Sequence, residues 1–247
     1  MKDITTGFSA GMSAAMRGLS LAFSAPGVRA TYLQLVAVML VVAGALDVLG
    51  IWAVLHYTEA SADAAWWLSI GLWVLRIAGI LLVLFVAAYV AFFIVTNVFP
   101  FLGQRVFFAA LRSIDPERAA ELEAREGLSF AAGLADAMKR FFLYLGLSLL
   151  ALAASFVPVA GAVLGPGLQA WFTARALGWE LLDPWFDKLG WRFAEQRRFV
   201  QGNRASLFGF GLPLSLAMAI PLLGPFVFGA AQASAAQLVG DVLDPRA

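Results

Sequence analysis

Four polar side chains stand inside otherwise apolar stretches of this sequence: Asp47, Arg76, Gln169 and Gln232. A charge in the hydrocarbon of a bilayer is costly, so it pairs, reaches for water or lines a polar path. Asp47 and Arg76 each fall about 10 residues, or about 15 Å of helix, from the outer end of an apolar segment. An interhelical ion pair is the first reading, with a conducting lining or separate snorkelling beside it. Gln169 and Gln232 suit interhelical hydrogen bonding, with a pathway role as the alternative. Other chemistries are closed. With no cysteine and one histidine, His56, disulfides, thiolate catalysis and Cys- or His-rich metal sites are excluded. No Gly-x-Ser-x-Gly, phosphate loop or His-Glu-x-x-His is present. An intramembrane hydrolase needs a Ser or Asp dyad, and Asp47 is the one acid in an apolar span. The expectation is a non-enzyme without cofactor or metal.

These residues need a membrane to position them. Of 247 residues, 62% are hydrophobic and 13% charged, and the mean hydropathy is +0.83. Soluble domains carry about 25% charged residues. An all-α integral membrane protein follows, read as a single membrane domain over 1–247. The net charge of +1 points to no acidic partner and no nucleic acid. Residues Met1 to Phe23 lack the order of a cleaved signal, so the chain is expected to stay whole.

Residues 4–24 carry Phe8, Met12, Ala15, Met16, Leu19 and Phe23 at helical spacing, which predicts an amphipathic helix in the membrane interface. Ser24 to Arg29 breaks it. Full spans are predicted at about 32–55 and 76–96, joined by a short loop and flanked by Trp66, Trp67 and Trp73 as an aromatic belt. Asn97 to Gly103 ends or kinks the second span. Residues 104–140 read as a water-exposed helix continuing from the second span, then a loop at Glu126-Gly127; its Glu-rich stretch 117–126 reads as a solvated face, where Arg118 has the spacing to pair with Glu121. Residues 175–204, basic and aromatic, read as a membrane-surface segment.

Two uncharged runs remain, about 141–174 and 205–240, centred on Pro158 and Pro221. Each is too long for one span of about 20 residues and short for two. A Pro and a Gly within a few residues stop a helix and permit a turn. Two hemipenetrating helical hairpins are predicted, with arms of about 15 residues, or roughly 22 Å. Of the 17 Lys and Arg, all but Arg76 lie outside the loop side of the spans. Only hairpins keep them on one side, so by the positive-inside rule both termini are cytoplasmic. Aligning Pro158 with Pro221 also matches Gly161 with Gly224 and Gln169 with Gln232, as an internal repeat would. Small residues at Gly229, Ala230, Ala233 and Ser234 favour close helix packing.

The order of elements resembles the membrane family that contains the bacterial CysZ sulfate permeases and the eukaryotic etoposide-induced proteins. The matching stretches are Pro26-Gly27-Val28-Arg29, Pro100-Phe101, Phe156-Val157-Pro158, Asp183-Pro184 with Phe186-Asp187, and Phe208-Gly209 leading to Ile220-Pro221-Leu222-Leu223. The resemblance implies two long spans, two hemipenetrating hairpins and assembly into a homo-oligomer. It also implies a sulfate site in the turn before the first span, here Gly27, Val28 and Arg29. Backbone N–H groups at a helix start and one Arg suit a tetrahedral anion, although an interfacial Arg also anchors spans at headgroups. Two departures stand out. Arg29 is followed by Ala30 where the permeases tend to pair arginines, and Leu102, Phe107 and Phe108 make the stretch after Pro-Phe apolar. The expected function is an inner-membrane, sulfate-like anion permease or channel of a bacterium, with lipids, the anion and further copies of the chain as partners. The alternative is a non-transporting membrane scaffold or accessory protein of the same fold.

Overall fold

A computed structural model describes residues 4–59, 65–220 and 223–244. Lys2, loop residues 60–63, Pro221 with Leu222, and the last three residues, all used in the sequence reading, lie outside that set. Every regular element among the described residues is helical, since a helix satisfies its own backbone in lipid. The chain divides into two compact units, residues 1–32 with 104–247 and residues 33–103.

Helix α1 (Ile4–Ser24) is followed, after the single bend residue Ala25, by α2 (Pro26–Tyr57) and then by α3 (Trp66–Val98). In the 33–103 unit α2 and α3 run antiparallel, with Gly50 against Val83 and Gly79 against Val54. Both are long and apolar enough to cross a membrane. Helix α3 starts well before the expected residue 76. Trp66, Trp67 and Trp73 therefore project from its opening turns, all exposed.

The other unit adds α4 (Pro100–Ile114), α5 (Pro116–Glu123), α6 (Phe130–Ser155), α7 (Gly161–Leu181) and α8 (Asp183–Leu189). It continues with α9 (Phe193–Gly202), α10 (Arg204–Met218), α11 (Gly224–Leu238) and a π-helical turn, Val239–Leu243. Pro100 opens α4 directly after Phe99, the position a missing N–H tolerates. The water-exposed helix expected ahead of the Glu126-Gly127 loop is two helices, α4 and α5, and the loop falls between α5 and α6 as expected. In α4, Val106, Phe107, Ala110 and Leu111 are fully buried. Arg118 is also buried and engages the Asp244 carboxylate, while Glu121 pairs with Arg125 at 2.7 Å. Within the 175–204 segment the aromatic side chains pack on one another while Arg197, Arg198 and Arg204 stay exposed. Trp185, Phe186, Trp191 and Phe199 make one aromatic cluster with centroids 5.3–5.8 Å apart.

The apolar runs form two helical pairs, α6 with α7 and α10 with α11. Their turns follow one design. A Cβ on Gly161 would overlap the Ser155 carbonyl oxygen, and one on Gly224 would overlap that of Met218. The correspondence reaches further than the proline, glycine and glutamine matches. One constant offset relates the start of α6 to that of α9, the end of α6 to that of α10, and the start of α7 to that of α11. Helix α6 thus corresponds to α9 and α10 together, with Asn203 as the break. At 26 residues α6 is longer than the expected arm. It and Gly224–Leu243 join α2 and α3 as four helices with the length and composition of membrane spans.

Helix α1 has the expected bounds, but its contact face is not the one with the large side chains. Gly7, Gly11, Ala14, Ala15, Gly18 and Ala22 are buried, whereas Met16 and Phe23 are more than half exposed. A Cβ on Gly11 would strike Ser206 and Phe210 backbone, and one on Gly18 the backbone of Ser234. The Ser234 hydroxyl donates to the Ala15 carbonyl at 2.9 Å. Small residues let α1 settle against α10 and α11, as they do between membrane helices generally.

Candidate functional site

The turn Pro26-Gly27-Val28-Arg29 is the first turn of α2. Proline fits there because its fixed φ is helical and the position has no helical acceptor to meet. The Arg29 amide donates to the Ala25 carbonyl at 2.9 Å, and the Ala25 amide to that of Leu21 at 3.1 Å. The amides of Gly27 and Val28 are left as the leading donors of the helix. Val28 is 1% exposed and fixes the turn to the protein. The Thr31 hydroxyl donates to the Val28 carbonyl at 2.8 Å. Gly27 faces open space, with no heavy atom within 4 Å of where a Cβ would stand. The Arg29 side chain is exposed. Two backbone donors and one guanidinium on an open turn form a donor set that an oxyanion can take up.

Asp47 and Arg76 are not brought together. The contacts of Gly50 with Val83 and of Gly79 with Val54 fix the register of α2 and α3. On it, Arg76 comes level with the end of α2 and Asp47 with Val86, about 15 Å of helix away. Arg76 instead caps α2. Its Nη2 donates to the Thr58 carbonyl at 3.0 Å and its Nε to the Thr58 hydroxyl at 3.1 Å. The guanidinium also lies 5.1 Å from the centroid of Trp73. A cation beside the last carbonyls of a helix meets the negative end of its dipole. Asp47 Oδ1 is buried without a hydrogen-bond partner.

Gln169 ties α7 to α6. Its Nε2 donates to Tyr144 Oη at 3.0 Å, Thr173 Oγ1 at 3.2 Å and Ser148 Oγ at 3.3 Å. Gln232, its repeat counterpart, is buried on α11 with Oε1 unpartnered. The same sequence position therefore serves two different environments.

A charged network on α6 escaped the sequence reading. Asp136 is 1% exposed and accepts from Arg192 Nε at 2.7 Å, Lys139 Nζ at 3.0 Å and the Phe193 amide at 3.2 Å. Its hydrogen bond and charge hold the Arg192 guanidinium above the usual arginine range. Arg140, one turn on, donates to the Asp183 carboxylate and, at 3.1 Å, to Gln196 Oε1. Gln196 also accepts from Trp179 Nε1 at 2.9 Å and donates to the Trp191 carbonyl at 2.8 Å. The four-residue spacing of Asp136 and Arg140 marks one helix face. Apart from Lys139 at i+3, their partners lie far along the chain, where no spacing rule reaches them.

A family model described as sulfate transporter CysZ/etoposide-induced protein 2.4 matches residues 14–228. No curated protein matches the chain.

Proposed function

This chain belongs to the sulfate transporter CysZ/etoposide-induced protein 2.4 family, and from that premise we propose that it is a homo-oligomeric permease or channel for sulfate-like anions. In this reading α2 and α3 are full spans of a bacterial inner membrane. The two proline-centred pairs enter partway from the cytoplasmic side, and both termini are cytoplasmic. Gly27, Val28 and Arg29 capture the anion. The observation that carries the proposal is the pair of leading amides on α2 beside an exposed Arg29. Sulfate flux into liposomes should exceed that of empty liposomes. Arg29→Ala should lower it about tenfold or more, the weight of one charge-assisted hydrogen bond. No flux from folded wild-type protein would favour the scaffold reading. A specific observation speaks for that reading: Leu102, Phe107 and Phe108 are buried at 8%, 0% and 5% exposure, as packing residues and not a polar lining.

The side on which the hairpins enter is open to a direct test, since the chain has no cysteine. In intact cells, cysteines introduced as Ser129→Cys and Asn203→Cys should resist an impermeant thiol reagent and react once the membrane is opened. Labelling of Asn203→Cys from outside would sink the partway hairpins.

A further inference from the structure

Three arginines meet where the two helical pairs leave their apolar runs. Arg175 is the first charged residue after the run that ends at Ala174, and Arg204 is the last before the run that begins at Ala205. Helices α7 and α10 touch backbone to backbone. A Cβ on Gly211 would overlap the Ala174 carbonyl oxygen, and one on Gly178 would lie 3.2 Å from that of Leu207. These contacts run antiparallel, so the first turn of α10 lies beside the last turns of α7. The Trp179–Gln196 hydrogen bond and the stacking of Trp179 on Phe193 at 5.6 Å hold α9 to the same helix. Arg197 follows Gln196 directly.

Elsewhere Arg17, Arg112, Arg118, Arg125, Arg140 and Arg192 each meet a carboxylate. None of Arg175, Arg197 and Arg204 has an ion pair or hydrogen bond from its guanidinium among the described residues. Arg175 is half-buried, and burial, then the charges of Arg204 and Arg197, push its pKa down. Converging like charges are unfavourable unless an anion joins them. On the topology proposed above, on which this inference rests, the boundary of the two apolar runs is the depth at which lipid phosphates lie. The positive end of the α10 dipole adds to the same field.

We propose that Arg175, Arg197 and Arg204 form a binding site for the phosphate of an anionic lipid headgroup. The site clamps the ends of α7, α9 and α10 to the membrane surface. It is separate from the turn at Arg29.

The test compares phosphatidylglycerol with phosphatidylcholine binding to the full chain in zwitterionic detergent, by native mass spectrometry. Arg197→Gln/Arg204→Gln removes two exposed members and leaves half-buried Arg175 in place, so folding is spared. Wild type should prefer phosphatidylglycerol. The double variant should lose affinity by about fivefold per arginine, while Arg198→Gln retains it. Equal phosphatidylglycerol affinity in wild type and the double variant, or no headgroup preference in wild type, would overturn the proposal. Free sulfate or inorganic phosphate should leave the lipid bound. Displacement by either would keep the phosphate-class chemistry and overturn a lipid as its source.

Discussion

Gly209→Ala is expected to lower the thermal unfolding midpoint of the detergent-solubilised protein, while Gly146→Ala leaves it unchanged or raises it. The two glycines occupy equivalent places in the repeat. A Cβ on Gly209 would overlap the carbonyl oxygen of Phe8, whereas one on Gly146 would have no heavy atom within 4 Å. The clash is with backbone, so no side-chain rotation relieves it and α1 must move off α10. Overpacking of this kind costs about 3 kcal/mol or more, a shift on the order of 10 °C for a chain of this size. At Gly146 the added methyl removes the glycine penalty of a helix interior, about 0.8–1 kcal/mol. Scanning fluorimetry of both variants decides the matter. An unchanged midpoint for Gly209→Ala would mean that α1 does not dock on α10 in solution.

The same contact shows why α1 was legible as a helix and illegible as a packing element. Periodicity marks the large apolar side chains as the face turned to the membrane interface and says nothing of the small-residue face that packs on the protein. In lipid, large side chains lose nothing by facing outward, and backbone approach selects small ones. Gly7, Gly11, Gly18 and Ala22 were in plain view at helical spacing, but their meaning depended on the solvent. The turns of the helical pairs were readable because Pro158 and Gly161 act locally. The start of α3 was not: the expected span begins near Arg76, whereas the helix begins at Trp66. The Arg76 charge is carried inside the helix by Thr58 and Trp73, which no rule of spacing anticipates. For the candidate anion turn, the family resemblance marked the residues. The structure adds that Pro26 begins the helix, so the amides of Gly27 and Val28 lead it.

Arg140 and Lys139 are neighbours of the same charge, and their removal should have very different effects. Arg140 is 9% exposed and joins α6 to α8 through Asp183 and to α9 through Gln196. Arg140→Gln leaves Asp183 without its close cation and removes one of the two donors to Gln196 Oε1, leaving that of Trp179. Loss of one partner from a buried pair costs 3–5 kcal/mol. Asp183 and Glu180 have side chains 44% and 55% exposed, so water recovers part of that, and about 2–3 kcal/mol is expected. Lys139 has a side chain 53% exposed. Its partner Asp136 keeps Arg192 and the Phe193 amide when Lys139 is lost. Lys139→Gln should therefore cost within about 0.5 kcal/mol, as exposed pairs do. The two midpoints, measured side by side, separate an interlock from a surface charge. Equally small losses at 139 and 140 would show that the bonds of Arg140 to Asp183 and Gln196 add nothing to the join of α6 with α8 and α9.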